Sequence, residues 1–180
     1  MIGRTPQEAV KAWASSFQQA LSCITGARFN VDGYRPADRP YDADLNGGLA
    51  VPLAAMSRLG LVVILRYRVV REARSHDPWT VQAVAYRYGL LDDTGRDVVS
   101  YEWHPEGTSW VTWPHLHIGR AMLRDNARLT SRMHPPTGPV LIEDVIRLAI
   151  VEFGVRPRRP EWAAVLQRTG RARAESPSES

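Results

Sequence analysis

The sequence predicts an α+β protein, an antiparallel sheet of four to five strands with an N-terminal helix and C-terminal helices packed on one face. Three observations predict it. An amphipathic stripe opens the chain, short β-branched and alternating runs fill its middle, and a second helical stripe follows a Pro- and Gly-rich break at Pro135–Pro139.

The first helix is well signalled. Thr5-Pro6-Gln7-Glu8 supplies a cap, a proline at the first helical position and a glutamate that reaches back. Val10, Trp13, Phe17, Ala20 and Leu21 then recur at three and four, which places a helix over about 6–23. Residues 25–50 hold Gly26, Gly33, Pro36, Pro40, Gly47, Gly48 and several aspartates, and read as a long irregular segment. Leu49–Leu59 reads as a short helix starting near Pro52.

The period then changes. Leu61–Leu65 is a continuous apolar run, and Arg66–Val70 alternates, as in a strand buried at one end and half-exposed at the other. A second strand is expected over 79–91 and a third over Asp97–His104. Asp92-Asp93-Thr94-Gly95-Arg96 joins them as an antiparallel hairpin. A fourth strand is expected near Trp110–Gly119 and a fifth near Arg128–Met133. Val140–Phe153 is an amphipathic helix stopped by Gly154, and a shorter helix covers Glu161–Gln167. The organisation that follows is an N-terminal helix and irregular extension (1–59), an α+β core (60–167) and a polar, disordered tail (168–180).

Composition narrows the class. The chain has 180 residues, 44% of them hydrophobic and 23% charged, enough for a real core and too apolar for a disordered protein. Lys11 is the lone lysine among 23 basic residues. Arginine suits planar contacts with phosphate and carboxylate, though abundant Ala, Gly and Pro also point to simple base composition. Cys23 is the single cysteine, so no intrachain disulfide forms, which fits a reducing cytoplasm. The N-terminus shows no secretion signal and no apolar run reaches 18 residues. The expected location is therefore cytoplasmic, with no membrane partner.

Histidine placement is the main chemical signal. Four of the five histidines fall within residues 104–134: His104, His115, His117 and His134. On a strand, His115 and His117 share one face about 7 Å apart along the chain, with Leu116 and Ile118 directed to the core. Such a pair suits general acid–base chemistry, and in RNA cleavage one group takes the 2′-hydroxyl proton while the other protonates the leaving oxygen. Arg66, Arg68, Arg87 and Arg120 are the candidate phosphate-binding residues. No cofactor is required by this scheme. Two alternatives stand beside it. One is a non-enzymatic subunit that binds a partner protein. The other is a metal-dependent hydrolase in which His115 and His117 are joined by His104, His134, Glu102 or Glu106. Trp103, Trp110 and Trp113 surround the histidines, where they either pack or stack on a base.

The chain also resembles the TumE-type toxins of bacterial toxin–antitoxin systems over residues 80–155. The resembling elements are Tyr86-Arg87-Tyr88-Gly89-Leu90, Gly95-Arg96 in a turn, Val99-Ser100-Tyr101, then His115-Leu116-His117 and a C-terminal amphipathic helix. The chain departs from that pattern at Glu102-Trp103, where the family often carries Asp-Asn, and in the length of its N-terminal part. The resemblance implies a small intracellular toxin held by an antitoxin protein and acting on RNA, with Tyr101, His115 and His117 as its catalytic residues.

Overall fold

The N-terminal signals form the helix they predict. The Glu8 N–H donates to the Thr5 hydroxyl oxygen at 3.2 Å, and the Arg4 N–H donates to the Glu8 carboxylate at 3.0 Å. Helix α1 then runs over Pro6–Leu21 and buries Val10, Trp13, Phe17, Ala20 and Leu21. The computed structural model describes residues 2–34, 39–56, 58–71, 79–106, 108–123 and 128–174.

Eight strands make one antiparallel sheet among the described residues: β1 (Ile2–Gly3), β2 (Phe29–Val31), β3 (Tyr41–Leu45), β4 (Val51–Pro52), β5 (Gly60–Arg71), β6 (Trp79–Leu91), β7 (Asp97–Trp103) and β8 (His115–Ile118). Their order is β2-β3-β5-β6-β7-β8, with β1 added beside β6 and β4 beside β5. The α+β class is thus as the sequence predicts, with more strands. The hairpin turn is built by Asp92, whose carboxylate accepts from the Thr94 N–H and hydroxyl and from the Arg96 N–H. Gly95 supplies the left-handed step, at φ +79°.

Residues 25–50 depart from the expected irregular loop. They carry β2 and β3, which extend the sheet. In β3, Ala43 and Leu45 are buried while Asp42 and Asp44 project to the other side. Gly26, Gly33, Pro40, Gly47 and Gly48 lie outside these strands instead of abolishing them, and residues 35–38, with Pro36, lie outside the described residues. Leu49–Leu59 is not a helix either. Val51–Pro52 pairs with Gly60 and Leu61 as β4, a short edge piece where proline is tolerated. Of this stretch, Ser57 lies outside the described residues.

Two more expectations change near the far edge. The fourth strand is only four residues long, because Pro114 ends the ladder on its N-terminal side and Gly119 on the other. No fifth strand forms over Arg128–Met133. The outer edge of β8 is met instead by the segment Pro135–Thr137. Leu116 N–H donates to the Pro135 carbonyl at 2.9 Å, and Thr137 N–H to the Pro114 carbonyl at 3.0 Å. His115 and Pro136 form an isolated bridge.

Helix α2 (Ile142–Val151) follows and is stopped at Gly154, φ +66°. Helix α3 spans Trp162–Ala174, so residues 168–174 are helical where a disordered tail was expected. Residues 175–180 of that tail lie outside the described residues. A buried ion pair holds α3 in place. Arg173 reaches Glu143 of α2 at 2.7 Å, with side chains 8% and 3% exposed, and its guanidinium lies 4.2 Å from the centre of the Phe17 ring.

All three helices pack on one sheet face. Trp13 and Phe17 of α1, Ile146 of α2 and Leu166 of α3 share a core with Leu61, Val63, Leu65 and Tyr67 of β5 and Tyr86 and Tyr88 of β6. No helix among the described residues is long and apolar enough to cross a membrane.

Candidate active site

Strand register places the polar groups. Residues directly opposite in an antiparallel pair project to the same face. Asp44, Ile64, Arg87, Glu102 and His115 are successive partners across β3, β5, β6, β7 and β8. They therefore form one row on the helix-free face. His117 pairs with Ser100 in the next row on that face.

The two oxygens of Glu102 are differently used. Arg87 Nε donates to Oε1 at 3.1 Å, and the Ser100 hydroxyl donates to the same oxygen at 3.0 Å. Arg87 also reaches Asp97 at 2.7 Å, which fixes its guanidinium between two carboxylates. Oε2 faces the imidazoles, 3.7 Å from His117 Nε2 and 3.6 Å from His104 Nε2.

The imidazoles converge beside it. His115 is buried, and its Nδ1–H donates to the Trp113 carbonyl at 2.8 Å. That bond leaves the lone pair of a neutral ring on Nε2. His115 Nε2 lies 3.1 Å from His117 Nε2. The His134 ring closes the group, with its centre 4.5 Å from that of His117 and 5.1 Å from that of His115. Each of the three offers a ring nitrogen, and these atoms lie within 4.8 Å of one another, the one such ligand group among the described residues.

Burial, reinforced by His115 and His134, holds the His117 imidazole below its ordinary range, although Glu102 pulls the other way. Burial acts to raise Glu102, but His117, the Ser100 hydroxyl and Arg87 outweigh it and hold the carboxyl below its usual range. Near neutral pH the pair is thus a carboxylate beside a neutral imidazole. An open cleft of about 760 Å³ lies alongside, lined by His117, Glu102, Asp97, Arg96, Gly119 and Arg120 among others. Gly119 is where β8 leaves the sheet. A Cβ there would meet the Asp97 carbonyl oxygen at 1.6 Å, so the close approach to β7 requires glycine.

The structure brings together His115 and His117 as expected and separates them from most of the other candidates. Tyr101 is the partner of Leu116, one position out of phase, and so faces the opposite side, where it packs against the core. Burial and Asp144 push its phenol up. Leu116 and Ile118 share that opposite side but are only half-buried. Arg66 pairs with Asp42 on β3 at 3.6 Å, and Arg68 with Glu106 at 3.6 Å. Arg87 braces Glu102 and Asp97. Of the four candidate arginines, Arg120 lines the cleft. Arg96, Glu102 and His134 belong to the site and were not among the candidate catalytic or phosphate-binding residues. Register alone could have found Glu102, since the short 92–96 turn sets which face it shares with Arg87.

The tryptophans divide. Trp103 packs on Tyr86, ring centres 6.0 Å apart, and donates its Nε1–H to the Thr112 carbonyl. Trp110 is 75% exposed and meets Trp113 and His134 edge-on, at 5.6 and 6.0 Å. No protein-family model, no curated protein and no solved structure matches this chain.

Proposed function

We propose that this chain is a toxin-like enzyme that cleaves phosphodiester bonds in RNA, with its reaction centre where His117 and Glu102 meet the cleft. The observation that carries the reading is one cleft lined by His117, Glu102, Arg96 and Arg120, which brings an imidazole, a carboxylate and two arginines together, Arg96 being also paired with Asp92 at 3.0 Å. Arginines there hold a phosphate and meet the charge that grows on it during attack. The exposed Trp110 ring, beyond His134, offers a face on which a base stacks.

The division of labour differs from a simple His115–His117 pair. An acid and a base that serve opposite sides of a phosphorus atom each need a hydrogen bond to a different oxygen, so two nitrogens in hydrogen-bond contact with each other do not divide that work. The two Nε2 atoms are 3.1 Å apart, and His115 is buried behind His117. We assign proton transfer at the attacking hydroxyl to the His117–Glu102 unit, with His115 as a positioning residue. The 2′-hydroxyl proton passes to that unit as its oxygen bonds to phosphorus. The 5′-oxygen leaves with a proton drawn from solvent in the open cleft.

The test is cleavage of a fluorescent single-stranded RNA by the purified chain, beside His117→Ala and Glu102→Gln proteins whose circular dichroism matches the parent. Each substitution is expected to slow cleavage about 100-fold or more, the span of a general acid–base contribution. Growth arrest on expression, relieved by His117→Ala, is the cellular counterpart. A His115→Ala, His117→Ala double variant that cuts RNA like the parent would sink the proposal.

A further inference from the structure

We infer that His115, His117 and His134 bind one divalent transition-metal ion, zinc in the first instance, with a fourth position open toward the cleft. The inference deepens the proposed function and rests on it only for the use made of the ion. The ion site itself stands on geometry.

Three imidazoles with one vacant position are a donor set suited to zinc and its neighbours in the first transition row. Ligands about 2.0–2.1 Å from a tetrahedral ion stand roughly 3.3 Å from one another. The His115 and His117 Nε2 atoms are 3.1 Å apart. The third nitrogen lies within 4.8 Å of them, so a modest rotation of the His134 side chain completes the triangle. His134 belongs to a connecting segment and is only half-buried, which leaves it that freedom.

The surroundings are those of a ligand set as well. The Trp113 carbonyl accepts a hydrogen bond from the Nδ1–H of His115 and turns its Nε2 lone pair toward the other rings. Such an outer hydrogen bond sets the tautomer and orientation of a metal-bound histidine. Without an ion, the cluster brings three imidazoles together with Nε2 against Nε2, and one must donate to the other. A shared cation relieves that requirement and lets all three lone pairs point inward. Glu102 Oε2, 3.7 Å from His117 Nε2, would then stand beside the fourth position, where it would take the proton of the attacking 2′-hydroxyl. With the ion bound, His117 is a ligand and the proton-accepting part of the His117–Glu102 unit is Glu102. His104 lies across Glu102 with its side chain 48% exposed and is outside the set.

The experiment uses the full chain made without a histidine tag, stripped with a chelator and titrated with Zn²⁺ against a chromophoric chelator, and separately with Co²⁺. One ion per chain is expected, with the visible absorption of tetrahedral cobalt. His117→Ala and His134→Ala should each weaken zinc binding about 100-fold, and His104→Ala should not. His115 is buried, so its variant risks the fold. His134→Gln, on a connecting segment and with thermal unfolding recorded, keeps the test decisive. Zinc affinity unchanged in both the His117 and His134 variants overturns the inference, as does a cobalt spectrum without tetrahedral character. RNA cleavage by a chain that binds no zinc removes the ion and keeps the enzyme. Zinc held by the three histidines in a chain that leaves RNA intact keeps the ion and removes the substrate.

Discussion

The helix-covered face of the sheet and its bare face are supplied by the same strands and are built on opposite principles. On the covered face, Leu61, Val63, Leu65 and Tyr67 of β5 and Tyr86, Tyr88 and Leu90 of β6 share one apolar cluster with three helices. Each contact there is one of many, and neighbours soften the loss of any one. On the bare face, Arg87, Glu102, Ser100 and the imidazoles are joined by single, directed bonds. Partners are shared there, Arg87 between Asp97 and Glu102 and Glu102 between Arg87 and Ser100, so a charge that loses one partner keeps another. Stability should therefore be concentrated on the first face and chemistry on the second.

The largest stability effect is expected where the covered side buries a charge pair, Glu143 with Arg173, joined by three hydrogen bonds. Arg173→Ala strands the Glu143 carboxylate at 3% side-chain exposure, and unfolding in urea should show a loss of about 3–5 kcal/mol. Replacing both residues with apolar ones of similar volume should recover most of it. A smaller loss, about 1–3 kcal/mol, is expected for Gly119→Ala, since the new Cβ must push β8 away from the Asp97 carbonyl. This variant should also lose RNA cleavage, because β8 carries the site. Glu102→Gln sharpens the contrast. It should shift stability by about 1 kcal/mol or less while slowing cleavage about 100-fold. Equal losses of stability and activity across these variants would erase the distinction between the faces.

The smallest effect concerns acid. The Thr94 hydroxyl and the Arg96 N–H hold the Asp92 carboxyl down to about 2, against about 3.9 in an unfolded chain. A depressed carboxyl stabilises fully above its unfolded value and loses that contribution as pH falls through its folded value. The melting temperature of the parent should thus drop toward that of Asp92→Asn between about pH 4 and pH 2. Parallel curves through that window would contradict the turn's role.

The covered face was the legible one. Its strands read from period and β-branching, and its helices from stripe, cap and stop. The edges of the sheet were not. Tyr41-Asp-Ala-Asp-Leu45 alternates as a strand should, with Ala43 and Leu45 inward, but one small residue and one leucine among aspartates make a faint apolar signal. The site was half-legible for a related reason. His115 and His117 announce themselves by spacing, whereas Glu102 and Arg87 join them through pairing across strands. His134 arrives from a segment with no period at all. Tyr101 shows the opposite error, for a shift of one residue moves a side chain through the sheet to the other face.

The segment Pro135–Thr137, which covers the outer edge of β8, also follows directly on His134. A strand edge with bare amides and carbonyls is a template for pairing with another copy. Here the stretch that brings the third imidazole to the centre also occupies that template, with prolines that offer few donors of their own. Insertions or deletions between Arg128 and Thr137 should therefore carry a second penalty beyond lost chemistry, visible as concentration-dependent self-association in light scattering. Selection against aggregation and selection for the site would then act on the same few residues.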